Sequence, residues 1–212
     1  MKKPFDLLMG GVAMTKSNKT TVITLLVMLV IAAAVFFGYY QMTSSPKEEE
    51  VTVAKTEVDK LLQKDMEGNY PGTPREVMKF HGRITQCIYN EDLKKSQLEG
   101  LLEQARKLYD DELLAQNPWD EHLASLMADI KDYNENERTI MSYTVQNSSQ
   151  IKTHKVDGQE YAIAYMLFIL SDKTTPMIKS CEKFMLRTDD KGKWKIVGWE
   201  LADPESAEFG NE

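Results

Sequence analysis

The sequence is poor in the residues that most often bind metals or carry out catalysis. Its 212 residues include only two cysteines and three histidines. No histidine has a second one at metal-ligand spacing, and H-E-x-x-H, C-x-x-C and G-x-S-x-G motifs are all missing, as is a glycine-rich phosphate loop. These absences argue against metalloenzyme, nucleotide-binding and serine-hydrolase functions. We therefore predict no cofactor and no metal.

Positive charge is scarce outside the first 20 residues. Those residues hold four of the 26 basic and one of the 33 acidic side chains, which leaves 22 and 32 in the remainder. A surface that binds nucleic acid needs clustered lysine and arginine to replace the counterions of the phosphate backbone. The acidic body of this chain therefore predicts no nucleic-acid partner.

Residues 20–40 contain no charged side chain. About twenty apolar residues, at ~1.5 Å each, span the ~30 Å hydrocarbon core of a bilayer. The rival interpretation, a cleaved signal peptide, would have a shorter apolar region of ~7–15 residues. We predict a transmembrane helix here, between an N-terminal segment at 1–19 and a linker at 41–52. Lysines precede the span, which predicts a cytoplasmic N-terminus and a main domain outside the cell membrane.

After the linker, apolar residues recur with the period of a helix. Four amphipathic helices are predicted: over residues 54–66, from Thr73, over residues 93–115 and from Asn117. The second start is the best marked, because Thr73 can cap the helix, a proline follows it, and Glu76 completes a capping box.

From about residue 139 the apolar period changes to two, which is typical of strands. The Asp-Gly pair at 157–158 and the segment TDDKG each indicate a hairpin. Residues 161–170 are nearly all apolar and favour a central strand covered on both faces. We predict an α+β domain over residues 53–203, with helices on one face of an antiparallel meander, and a flexible acidic tail at 204–212.

The order of helices and strands, ending in GKWKIVGWEL, resembles the cystatin-like cone of the nuclear-transport-factor-2-like superfamily over roughly residues 70–203. The N-terminal span, the acidic linker and the segment YPGTPREVMKFHGRITQCIYNEDL are similar to uncharacterised membrane-anchored proteins of Gram-positive gut bacteria. Those proteins are grouped as a domain family of unknown function. The resemblance implies membrane attachment and a cone-like fold with an internal hollow, and it supplies no catalytic residue.

Two polar residues interrupt apolar patterns. His81 lies on the apolar stripe of the second helix, and Glu182 shares a strand face with apolar neighbours. Each can project into the hollow as a proton acceptor whose pKa burial has moved, or can be an ordinary boundary residue. Tyr165 and Trp194 are further pocket-lining candidates, for which packing in the core is the alternative. Trp199 is five positions from Trp194, so a regular strand places the two tryptophans on opposite faces.

Cys87 and Cys181 leave two alternatives open. An oxidising compartment permits a disulfide between them, but two thiols can also be buried as small apolar side chains.

The missing catalytic motifs and the predicted anchor favour a membrane-tethered interaction domain that is not an enzyme. Its partner would be a protein or a component of the cell envelope. The alternative is a small-ligand-binding or isomerase- or dehydratase-like domain that uses the interior of the cone. A homodimer through the sheet is also compatible with such a fold.

Overall fold

The computed structural model describes residues 55–207 and residue 209. Within this part of the chain, helices come first and strands follow. The helices are α1 (Glu57–Leu62), α2 (Pro74–Asn90), α3 (Lys95–Arg106), α4 (Asp111–Gln116) and α5 (Trp119–Glu135). The strands are β1 (Thr139–Val145), β2 (Thr153–Val156), β3 (Gln159–Ser171), β4 (Ile178–Thr188) and β5 (Trp194–Ala202), with a 3₁₀ turn at Pro204–Ser206.

The α+β part of the fold prediction is confirmed, because helices pack on a five-stranded antiparallel sheet. The fold prediction also included one membrane-spanning helix. With that helix included, the prediction is wrong for the described residues. None of their helices is long and apolar enough to cross a bilayer. The helix predicted at residues 20–40 lies outside the described residues.

The start of α2 confirms the predicted capping signal. The Thr73 side chain accepts a hydrogen bond from the Glu76 backbone N–H, and the Glu76 side chain accepts one from the Thr73 N–H. The single helix predicted over residues 93–115 is instead two helices, α3 and α4. Asp110 separates them, because its side chain caps α4 by accepting from the Glu112 N–H.

The sheet is built around the long strand β3. One edge of β3 pairs with β4, which pairs with β5, while β1 and β2 share the other edge. Asp157 and Gly158 connect β2 to β3, and both have positive φ, as a tight hairpin turn requires. From Ala162 to Leu170, the even-numbered residues of β3 are buried under the helices, whereas the odd-numbered ones are partly exposed. The strand is therefore fully covered on one face only, which corrects the prediction of two covered faces.

Helix α2 lies directly on the sheet through Gly82. A Cβ atom at this position would lie 2.7 Å from two ring carbons of Tyr143 on β1 and 3.0 Å from the sulfur of Met166 on β3. Glycine therefore permits a backbone approach that no larger residue allows. The apolar residues of α2 next to this contact, Val77, Ile84 and Ile88, are buried in the same core.

The chain between α3 and α4 runs beside the free edge of β5. Ile196 donates its N–H to the Leu108 carbonyl at 2.8 Å, and its own carbonyl accepts from the Asp110 N–H at 2.9 Å. The buried Asp110 carboxylate also accepts from Arg187 of β4 at 2.7 Å. These bonds hold Tyr109 against the sheet and cover an edge that would otherwise expose unpaired backbone groups.

We expect Gly82→Ala to destabilise the fold by about 1–3 kcal/mol, since the added methyl group meets a packed ring and outweighs the gain of about 1 kcal/mol in helix propensity. Gly100→Ala in α3 is the matched control, because its methyl group meets only the flexible end of Leu62. Urea denaturation of both variants measures the two free energies of unfolding. A Gly82→Ala protein as stable as the Gly100→Ala protein would contradict the close approach.

Candidate functional site

A cavity of about 240 Å³ lies between the helices and the helix-facing side of the sheet. Helices α2, α3 and α5 line one side, and strands β1, β3, β4 and β5 line the other. The volume corresponds to roughly eight water molecules at about 30 Å³ each. The cavity is therefore large enough for a small organic molecule and too small for a peptide.

Strand β4 creates the space for this cavity. Its even-numbered residues face the helices, and at one end of the strand Phe184 and Leu186 fill the core completely. At the other end the same face presents Ser180 and Glu182, and both line the cavity. A small and a polar side chain thus replace the large apolar residues that would otherwise close the interior.

Trp199 also lines the cavity, against expectation. In the pairing with β4, Met185 lies opposite Gly198 and Leu186 opposite Ile196, so that Val197 is an extra residue in β5. Such a β-bulge reverses the alternation of the strand beyond it. Trp194 and Trp199 therefore lie on the same helix-facing side, and the prediction of opposite faces is wrong.

His81 reaches the cavity from the middle of α2. Its ring packs on Phe184 at a centroid distance of 5.5 Å and on Trp199 at 6.1 Å. Its two ring nitrogens lie 3.5 Å from the Thr85 hydroxyl and 3.4 Å from the Tyr109 hydroxyl. Burial disfavours the charged ring and lowers the pKa of His81 to about 4, so the imidazole is neutral at physiological pH.

Tyr109 and His122 form a second part of the wall. Their rings are stacked at 6.0 Å, and the Tyr109 ring also contacts Trp199 at 5.9 Å. Arg106 donates to the Nδ1 atom of His122 at 3.0 Å. Because arginine can only donate, this contact assigns the ring proton to Nε2 in a neutral His122. Burial, and then the Arg106 charge, lower the pKa of His122.

Glu182 has no hydrogen-bond or ion-pair partner among the described residues. The neighbouring Lys183 binds Glu200 instead, at 2.9 Å. Removal from water raises the pKa of Glu182 from its ordinary value of 4.5 to about 7. The carboxyl therefore changes its charge near neutral pH inside a partly apolar cavity.

The structure brings His81 and Glu182 to one cavity and places the other predicted residues elsewhere. Tyr165 is on the outward face of β3, where its backbone pairs with Gln146. Trp194 is buried at the far end of β5, where its carbonyl accepts from the Tyr70 hydroxyl. Cys87 and Cys181 are both buried free thiols.

Several lining residues were not found from the sequence. They are Tyr89 of α2, Tyr109, three residues of α5 (His122, Asp129 and Tyr133), and Trp199. The helical residues fit an ordinary pattern of core and surface positions, so no sequence signal sets them apart. One feature of the sequence could have indicated the position of Trp199. A glycine inside a strand, here Gly198, often marks a bulge, and a bulge changes which face the next residues occupy.

We expect Glu182→Gln to stabilise the protein at pH 8 by about 1–2 kcal/mol. A pKa raised from 4.5 to about 7 corresponds to roughly 3 kcal/mol, which solvent reduces because the side chain is only partly buried. The penalty is absent below pH 4.5, grows as the pH rises and is complete above pH 7. Glu160→Gln, on the exposed part of β3, is the matched control. Thermal unfolding at pH 5 and pH 8 measures the effect, and an equal stability change for Glu182→Gln at both pH values would refute it.

Comparison with known families gives one match that covers most of the chain. A family model described as "Domain of unknown function (DUF6715)" matches residues 14–199. No curated protein matches the chain. The match supports the predicted resemblance to an uncharacterised family. On this basis, the chain belongs to the DUF6715 family of domains of unknown function.

Proposed function

We propose that the described domain binds a small molecule in the cavity between its helices and its sheet. This is the alternative that the sequence left open beside a role in protein interaction. The observation that carries it is the Glu182 carboxyl, which lies in the cavity with no partner among the described residues. The proposal concerns binding and does not require a reaction.

An unpaired carboxyl in such a place is costly to the fold. Withdrawing it from water disfavours its charged form, and a glutamine or an apolar residue of similar size would avoid this penalty. Natural proteins place an unpaired polar group in their interior mainly where function requires it. A bound ligand that supplies the missing partner would explain why Glu182 stands where an apolar residue would pack.

The cavity is accessible from the surface beside Trp199. This side chain lines the cavity yet remains 45% exposed. At about 240 Å³, the cavity is below the range of about 300–1,000 Å³ typical of pockets for drug-sized molecules. A compact ligand therefore fits this cavity better than a drug-sized one.

Filling the cavity should abolish binding. We expect the wild-type protein to give saturation-transfer NMR signals with at least one of a set of small neutral, cationic and anionic probes. Ser180→Leu adds apolar volume next to Glu182 and should remove these signals. Ser149→Leu makes the same change on an exposed turn and should leave these signals unchanged. A wild-type protein that gives no signal with any probe, or a Ser180→Leu protein that gives all of them, would contradict the proposal.

A second candidate function uses the outward face of the sheet. There β3 presents the partly exposed Ile163, Tyr165 and Leu167, and Met185 of the neighbouring β4 is 41% exposed. Two copies of this surface could pack together, as expected for a homodimer through the sheet.

If the sheet face forms a dimer, the full-length protein should sediment as a dimer, and Met185→Glu should shift it to a monomer by placing charges in the interface. Met127→Glu, at a position of similar exposure on α5, is the control and should leave the dimer intact. Sedimentation velocity at several concentrations measures both. A monomeric wild-type protein at high concentration would remove this candidate.

The other parts of the predicted role stay predictions. They are a protein or cell-envelope partner, location at the cell membrane with the domain outside, the cone-like superfamily and the Gram-positive origin. The predicted location depends on residues 20–40, which lie outside the described residues.

A further inference from the structure

The charged groups that line the cavity have one sign. Glu182 supplies a partly buried carboxyl group and Asp129 a solvent-exposed one at the edge of the cavity, and the described lining residues include no lysine and no arginine. Two arginines touch the wall from outside, and each donates to a group outside the cavity lining, although the buried Nε of Arg138 has no hydrogen-bond partner among the described residues. Arg106 donates to the Asn117 carbonyl at 2.7 Å, and Arg138 donates to Asp132 at 3.2 Å. The cavity is therefore suited to a positively charged occupant.

Aromatic rings line the same cavity as Glu182. Tyr89 and Tyr133 lie with their ring centroids 4.3 Å apart, and Tyr109 and Trp199 meet at 5.9 Å. Burial raises the pKa of all three tyrosines, and the charge of Glu182 adds to the rise. Tyrosine and tryptophan faces attract organic cations through their ring quadrupoles.

Other classes of ligand fit this lining less well. An anion would meet two carboxyl groups and no cationic side chain. Among the described residues, no cluster of three or more histidine, cysteine, aspartate or glutamate side chains could hold a metal ion. A neutral molecule would leave the charge of Glu182 without a counter-charge in a partly apolar space.

We propose that the cavity binds a small organic cation, a protonated or quaternary amine of about ten non-hydrogen atoms or fewer. Glu182 is its counter-ion, Asp129 adds negative charge from α5, and the tyrosine and tryptophan rings enclose its apolar part. This inference rests on the proposed function, since it names the chemical class of the ligand for the same cavity.

Binding of such a cation should strengthen as the pH rises through about 7. The titratable groups that line the cavity with Glu182 are His81 and Tyr89 of α2, Tyr109 after α3, and His122, Asp129 and Tyr133 of α5. Burial lowers the pKa of both histidines and raises that of all three tyrosines. Glu182, with a pKa of about 7, is thus the group that gains charge between pH 6 and pH 8. A probe of fixed charge should bind up to about ten-fold more tightly at pH 8 than at pH 6.

Isothermal titration calorimetry of the full-length protein tests the inference with four probes of similar size. Choline and n-butylammonium carry a positive charge, 3,3-dimethylbutan-1-ol is the uncharged analogue of choline, and butyrate is the anionic counterpart of butylammonium. We expect at least one cation to bind about ten-fold or more tightly than its counterpart. Glu182→Gln should abolish this preference, Asp129→Asn should weaken it, and Glu160→Gln should leave it unchanged.

The outcomes separate this inference from the proposed function. Binding of the neutral or anionic probe in preference to the cations, with loss of that binding in Ser180→Leu, would overturn the cation inference and leave the proposed function standing. Cation binding that persists in Glu182→Gln at wild-type affinity would also overturn the inference. No binding of any probe would overturn both.

Discussion

The close approach of helix α2 to the sheet at Gly82 is the contact on which the arrangement of the domain depends. On one side of the helix, Gly82 meets Tyr143 and Met166 of β1 and β3. On the other side, its neighbour His81 meets Phe184 and Trp199 of β4 and β5. Two adjacent residues of one helix thus contact both halves of the sheet. A larger residue at position 82 would lift the helix and move His81 away from the wall of the cavity.

The cavity forms where this packing ends. Close to the contact, large apolar side chains fill the space, and Phe184 and Leu186 are completely buried. Further along β4, the same face carries Ser180 and Glu182, and α5 contributes Tyr133 and the exposed Asp129 to the same cavity. The free energy that the full core provides is what allows the domain to tolerate an unpaired carboxyl and a neutral buried histidine. Glu182 therefore lowers the stability of the fold while it provides the group on which the proposed binding depends.

The parts of the fold that were predictable depend on local chemistry. The capping box at Thr73 and Glu76 formed as predicted, and the turn at Asp157 and Gly158 has the positive φ angles that its sequence requires. The parts that failed depend on contacts between distant segments. The break between α3 and α4 is fixed by Asp110, whose carboxylate pairs with Arg187, 77 residues away. The bulge at Val197 adds one residue to β5, and Gly198 beside it is the one residue in the strand that points to a bulge.

The residues of the candidate site divide in the same way, into those that a local pattern reveals and those that depend on contacts between distant segments. His81 and Glu182 could be found because each interrupts an apolar pattern in its own element, which a sequence displays directly. Their place in one cavity was an expectation that depended on the resemblance to a cone-like fold, because no local pattern gives the register of β4 or the position of α2 on the sheet. Tyr109 is the clearest case. It lies at the end of an unremarkable helical stripe, and it faces the cavity only because Leu108 and Asp110 on either side hydrogen-bond to Ile196 of β5. The chemistry of the cavity is thus set by single residues, whereas its existence is set by the pairing of elements far apart in the chain.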